Sequence, residues 1–486
     1  GANGNLGALA FYGNGPGRNG LTTLNDTYFG AFSPHVGIAY RVNPKTVIRA
    51  SASLSVLPFF TKPVFQLPTA GFNATLSSQS VDSGITPAFN WEDGSPLNFP
   101  SSFPVTDPAL QNDAAVRVID RSENIPAYSQ NLSFEIGREL PHGISIRAAY
   151  VGNLSRRMVT RDGAGINGMP LQHLAMGDLL NANIDSQAAI DAGIPKPYPS
   201  YTGSVAQALR PYPQFQNIVV WGAQFGSSNY HAFQMNFQKR TGDLSFLIAY
   251  TASKQITNTD YPGWTGQGSV IRQHPHVLHL SREVLRKDRP KILNISWAYD
   301  LPFGTGKKYL SGISRAANAV IGGWRLSAIQ NYMGGNPIRV SSSQTIPGGF
   351  GGIWAQRAGG AIKGTSCGAY TPGDRFLNAG AFATAAPFTL GDTSQLPNVR
   401  DCAVIQENIQ LEKGFQITER IGVEFGQIPV SDFFWKSIAP MECPMDFVTR
   451  LSLTLEQANL DYAVHYARVY RGLADGDTAA ILDRVY

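Results

Sequence analysis

The sequence predicts an all-β chain: an incomplete antiparallel transmembrane β-barrel of roughly ten strands over residues 1–426, followed by a short α-helical segment over 427–486. Three observations predict it. Apolar and polar residues alternate with period two in stretch after stretch, as a strand with one oily and one wet side requires. The connections between these stretches are alternately short and long. The chain also holds 50 Gly and 31 Pro in 486 residues, yet only 15% of it is charged, against roughly 25% in ordinary soluble domains.

The same figures exclude other classes. A mean hydropathy of −0.13, with no apolar run of about 18 residues, excludes helical spans. A content of 43% hydrophobic and 11% aromatic residues is enough to bury a core, which argues against disorder. So much Gly and Pro does not suit a coiled coil. The net charge is +5, but Lys and Arg are scattered rather than blocked, so no nucleic-acid partner is expected.

Along the chain, Val36, Ile38, Tyr40 and Val42 share one side of a first strand. Ile48 to Val56 alternates without a break, and Asn43-Pro44-Lys45 joins the two as a tight turn. Leu132, Phe134 and Ile136 make the next stripe; after Pro141-His142-Gly143 come Ile144, Ile146, Ala148 and Tyr150. Phe233, Met235 and Phe237 lead through Lys239–Asp243 to Leu244, Phe246, Ile248 and Tyr250. Leu293, Ile295, Trp297, Tyr299 and Leu301 form the clearest stripe. Trp324–Tyr332, Ile409–Leu411 and Ile421-Val423-Phe425 complete the set.

Short links are expected at 43–45, 139–143, 239–243, 302–308 and 416–420, and long ones near 57–129, 152–228, 254–290 and 341–402. This parity puts every tight turn at one end and every long loop at the other, the layout of an outer-membrane barrel. Gln214–Gly222 looks strand-like, but as a crossing it would flip the parity of everything after it, so it is assigned to a long loop. A soluble β-sandwich or propeller also alternates. The wet sides here, however, carry Ser, Asn and Gln rather than Lys and Glu, and the loops are too long for a sandwich.

Facing assignments name Arg49, Glu135, Arg147, Gln234 and Asn236 as polar residues of the inner wall. No catalytic constellation is visible, and neither a cofactor nor a complete metal site is expected. Gly304-Thr-Gly-Lys-Lys308 lacks the first glycine and the hydroxyl of a phosphate loop and reads as a turn. His274-Pro-His276 with His279 is dense enough for a metal but has no supporting carboxylate, so surface or solute-contacting histidines are expected. Gly13-Asn-Gly-Pro-Gly17 reads as a flexible loop, and the sequons at Asn131 and Asn153 carry no weight in a barrel of the outer-membrane layout. Three cysteines exclude a fully paired framework; a Cys367–Cys402 bridge closing one long loop fits an oxidising compartment.

Several strings add a resemblance. Phe32-Ser-Pro-His-Val-Gly-Ile-Ala-Tyr-Arg-Val-Asn-Pro-Lys-Thr46, Arg210-Pro-Tyr-Pro-Gln-Phe215, Tyr230-His-Ala-Phe-Gln234 and Gln238-Lys-Arg240 occur in that order. Asp288-Arg-Pro290, Tyr299-Asp-Leu-Pro-Phe-Gly304, Gly322-Gly-Trp324, Arg375-Phe-Leu-Asn378 and Leu396-Pro-Asn-Val-Arg400 follow. Over about residues 1–426 the chain resembles TonB-dependent receptor barrels with a carboxypeptidase-regulatory-like N-terminal domain, the Oar-like receptors. The resemblance implies the Gram-negative outer membrane, a lipid surround, and energised import of a solute whose identity the resemblance leaves open. It also implies a TonB complex reached through a plug. The chain is expected to start inside the barrel and to lack that plug, so this sequence is expected to be a fragment. A secreted or surface β-protein binding glycans or matrix is the alternative.

After Gly426 the alternation stops. Phe447–Gly472 and Asp477–Tyr486 read as helices. Phe434-Trp435, Pro444–Val448 and Leu453–Asp461 resemble part of a ferritin-like helical protein, a resemblance that implies a truncated remnant foreign to the barrel. That resemblance implies Glu456 as a metal ligand; one carboxylate cannot hold the di-metal centre such bundles build from several helices.

Overall fold

The computed structural model describes residues 7–429, except 57–68, 73–77, 81, 83–84, 95–103, 109–113, 123, 160–163, 260–271, 366, 368–374 and 419–420. The helical segment expected after 429, with Glu456, lies outside the described residues.

Ten long strands form one antiparallel meander. They are β1 (His35–Asn43), β2 (Thr46–Val56), β3 (Tyr128–Leu140), β4 (Ile144–Met158), β5 (Gly226–Lys239), β6 (Leu244–Thr257), β7 (Lys291–Asp300), β8 (Trp324–Met333), β9 (Val404–Thr418) and β10 (Ile421–Pro429). Each pairs with its neighbour in sequence, and the two-residue strand Glu283–Val284 adds to the end of β6. Among the described residues β1 pairs only with β2 and β10 only with β9, so the sheet is open rather than closed into a ring.

The register turns the alternation into two faces. Tyr40, Ile48, Ile136, Ala148, Met235, Tyr250, Leu293, Tyr332 and Ile405 follow one another across the sheet on one side. Arg41, Val47, Gly137, Arg147, Asn236, Ala249, Asn294, Asn331 and Gln406 do so on the other. The first face leaves large apolar groups uncovered, with Val36 70% exposed, Ile38 67%, Phe134 45% and Phe233 47%. Apolar surface left open over a whole sheet calls for an apolar surround.

The parity holds among the described residues: the strand ends 43/46, 140/144, 239/244, 300/324 and 418/421 lie at one end, and 56/128, 158/226, 257/291 and 333/404 at the other. In the β3–β4 turn, His142 (φ 64°) and Gly143 (φ 69°) both take the left-handed conformation. A Cβ at Gly143 would collide with the Thr241 side chain of the neighbouring turn.

Five boundaries differ from expectation. The link expected at 302–308 is only the start of 301–323, which holds a helix α1 (Arg315–Ile321) capped by Ser314, whose Oγ accepts from Ala317 N at 3.2 Å. Strands β4 and β5 run well past Tyr150 and Phe233 toward the loops, where both faces turn polar and the alternation disappears. Strand β9 begins at Val404 rather than near Ile409. Glu407 and Lys413 interrupt its apolar side, each with a partner: Tyr332 Oη donates to Glu407 Oε1, and Lys413 Nζ donates to Gly322 O and lies 5.2 Å from the Trp324 ring. Strand β10 continues to Pro429, past the expected end at Gly426.

Candidate functional site

The five predicted wall residues share the polar face. Arg49 and Glu135 are register partners joined by an ion pair of 2.6 Å. Ala149, the partner of Glu135, faces Gln234. One row toward the tight turns, Arg147 lies between Gly137 and Asn236. The wall at this level therefore carries both charge signs and two amides.

Toward the long loops the same face carries a neutral polar band. Ser55, Ser129, Ser155, Ser228 and Thr257 form one cross-strand row, and Ser53, Asn131, Asn153, Tyr230 and Gln255 the next. Asn153 Nδ2 donates to Asn131 Oδ1 at 2.6 Å and to Ser129 Oγ at 2.7 Å, and Gln255 Nε2 donates to Ser228 Oγ at 2.9 Å. Ser129, Ser155, Ser228 and Thr257 are buried, so these bonds offset their desolvation. Sequence reasoning missed the band. Its one visible trace was the repeated Asn-Leu-Ser at Asn131 and Asn153, and these two residues prove to be register partners.

Above the band, the long links fold into one cap. In the β4–β5 link, Met169, Leu180, Ile184, Tyr198, Tyr201 and Val205 make a small core. There the Arg210–Phe215 motif wraps around buried Asn167, whose Nδ2 donates to the carbonyls of Tyr212 (2.9 Å), Phe215 (2.9 Å) and Gln216 (2.6 Å). Its Oδ1 accepts from Tyr212 N at 2.8 Å. The strand-like part of Gln214–Gly222 is the short strand Ile218–Val220, which pairs with Val116–Val118 of the β2–β3 link and does not cross with the sheet.

The β6–β7 and β8–β9 links are bound by charge and amides. Asp288 Oδ2 receives Arg400 Nη2 at 2.7 Å, with only 2% of the Asp288 side chain exposed. This joins the Asp288-Arg-Pro290 and Leu396–Arg400 motifs across 112 residues of sequence. Glu283 pairs with Arg339, also largely buried. Gln395 acts as a strand partner, accepting from Val284 N at 3.0 Å and donating to Val284 O at 2.6 Å. Cys367 and Cys402 are bonded, with Cα atoms 5.6 Å apart.

The expectation of surface histidines is corrected at His274, which is 1% exposed. Its ring lies tilted against Phe350 at 4.1 Å and His276 at 4.8 Å, and its Nδ1 accepts from His276 N at 3.2 Å. Burial first, and then the neighbouring His276, push its pKa down to about 4. The Pro at its C-terminal side starts a short 3-10 turn that carries the segment into the cap. Among the described residues no three His, Cys, Asp or Glu side chains converge on a point that would hold a metal. The Gly304–Lys308 stretch is a turn, with Gly304 and Gly306 at positive φ and Lys307 Nζ on Asp243 Oδ1 at 2.8 Å.

A groove of about 400 Å³ opens on the polar face nearer the tight turns, with Gln238, Leu247, Ser296, Ile329, Asn408 and Gln410 in its lining. Wall, band and cap thus line one side of the sheet with neutral hydrogen-bonding groups and a few charges.

A family model described as an outer membrane beta barrel domain matches residues 2–426. No curated protein matches the chain. Among solved structures it is similar to the siderophore receptor PirA from Acinetobacter baumannii, with 10% identity and a TM-score of 0.31 over 81% of this chain and 36% of that one. It is similar also to the outer membrane transporter YddB from Escherichia coli, with 8% identity and a TM-score of 0.32 over 78% of this chain and 33% of that one. A third is the ferripyoverdine receptor of the outer membrane of Pseudomonas aeruginosa, with 9% identity and a TM-score of 0.31 over 81% of this chain and 28% of that one. The chain thus spans about a third of the length of these proteins. With the family match running from residue 2 to residue 426, the chain belongs to the outer membrane beta barrel domain family, and its place is the outer membrane.

Proposed function

We propose that this chain is part of a TonB-dependent receptor of the Oar-like type, which binds a solute with its external loop cap and inner wall and imports it. The observation that carries the reading is the cap. Four long links, all at one end, are tied together by short strands, buried ion pairs and amide clasps above a neutral hydrogen-bonding band. Loops of this length in a family with an outer-membrane barrel belong on the cell exterior, and a structured cap above a polar wall suits capture better than free diffusion. The order of motifs from Phe32 to Arg400 supports the Oar-like subtype and, with it, a TonB partner reached through a plug. The division into a barrel part and a separate following segment belongs to the same proposal, with its boundary beyond Pro429.

The test uses the full-length protein purified from outer membranes. It is expected to migrate differently before and after boiling and to retain the periplasmic domain of TonB in a pull-down. A protein that shows the heat-dependent shift yet ignores TonB would sink the import reading and leave the barrel standing.

A further inference from the structure

The apolar face carries two lysines and a histidine at its long-loop end. His231 of β5 and Lys254 of β6 are register partners. Lys291, the first residue of β7, pairs with Ala252, which precedes Lys254 by one step on the same face. All three are exposed. Directly toward the tight turns the face becomes aromatic and apolar: Tyr150 pairs with Phe233, and Tyr250 with Leu293, which faces Tyr332. The Tyr150 hydroxyl is hydrogen-bonded to His231 Nδ1 at 2.7 Å, which fixes the imidazole above the aromatic row.

Among the described residues, the carboxylates of the adjoining β6–β7 link, Asp288 and Glu283, are already engaged, buried against Arg400 and Arg339. Among the described residues no ion pair uses Lys254 or Lys291, whereas Lys307 and Arg325 near the other end are paired with Asp243 and Asp300. Lys413, on this face near the tight turns, donates to the carbonyl of Gly322. From Leu244 to Lys254 the strand runs about 34 Å, which at a tilt of about 40° rises about 26 Å, close to an apolar band about 25 Å tall. The lysines therefore stand at the edge of the hydrocarbon, at the depth of the headgroups.

We propose that His231, Lys254 and Lys291 form a binding site for the phosphate groups of an outer-leaflet lipid, with its acyl chains lying along Phe233, Tyr250 and Leu293. Charge complementarity selects this occupant: an aromatic belt meets the interface, and clustered lysines beside it attract anionic headgroups. The inference rests on the outer-membrane placement and not on solute import.

The test is native mass spectrometry of the full-length protein in mild detergent, titrated with diphosphoryl lipid A and with its dephosphorylated form. The wild type is expected to bind the phosphorylated lipid at least tenfold more tightly. The pair Lys254→Gln and Lys291→Gln should weaken that binding about thirtyfold, from about 1 kcal/mol per lysine, while Lys254→Arg with Lys291→Arg restores it. Equal binding of the two lipids by the wild type overturns the proposal without recourse to any variant. So does unchanged affinity in a Gln variant that keeps its heat-dependent migration, or retention of an acidic protein in place of lipid.

Discussion

At Gln273 a single amide does the work of a short strand. Buried to 1% exposure, it accepts from Trp354 N at 3.1 Å and Gly391 N at 2.8 Å and donates to Gly391 O at 2.9 Å, binding the β6–β7 link to the β8–β9 link. Its neighbour His274 makes the same junction sensitive to acid. The ordinary value of 6.5 is lowered to about 4 by burial and by His276. Between those values the folded cap binds fewer protons than the unfolded chain, so this contribution to stability is complete above about pH 6.5 and drains away as pH falls toward 4. Amide exchange at Gly351, which donates to Gln273 O, and at Met169, which donates to Gly348 O, should therefore quicken on acidification beyond its intrinsic rate. His274→Phe, which keeps a ring against Phe350, should flatten that slope; an unchanged slope would assign the effect elsewhere. Neither residue was legible from the sequence. A Gln in a loop has no periodic signature, and the crowding of histidines suggested a surface because burial there comes from Phe350, distant in the chain.

Among the elements, legibility followed the medium each strand meets. Strands β6, β7 and β8 present nearly unbroken apolar sides to one face, so their period could be read directly. The signal failed where β4 and β5 rise past the apolar band and both sides turn wet, and in β9, where Glu407 and Lys413 keep specific partners on the apolar side. The link 301–323 hid α1 because a seven-residue helix is too short to show a 3.6-residue stripe. The Cys367–Cys402 bond is an element of the β8–β9 link alone, since both ends lie within it. Replacing both cysteines with serine should raise proteolysis between 360 and 380 severalfold and leave the heat-dependent migration of the barrel almost unchanged. A large drop in the temperature of that transition would mean the bond braces the sheet as well.

For the whole molecule, the decisive property is sidedness. Among the described strands, the five tight or moderate links start and finish at one end and the four long ones at the other, which the spacing of the stripes already implied. An epitope inserted at Gly242, between β5 and β6, should be labelled only after permeabilisation. One at exposed Gly193, in the β4–β5 link, should be labelled on intact cells. The opposite pattern would invert the barrel. What spacing could not show was that the long links are one body: their joints are pairwise and distant in the chain, and no local pattern announces that Asp288 awaits Arg400.

That joint has a consequence for engineering and for descent. Grafting the 334–403 excursion from another protein would remove Arg400 and leave Asp288, with 2% of its side chain exposed, without its counter-charge and, among the described residues, held only by the Gln255 backbone amide. Such an orphan typically costs 3–5 kcal/mol. Diversification of the long excursions is therefore constrained to proceed by matched exchange: a new segment brings its own counter-charge or arrives together with its opposite number.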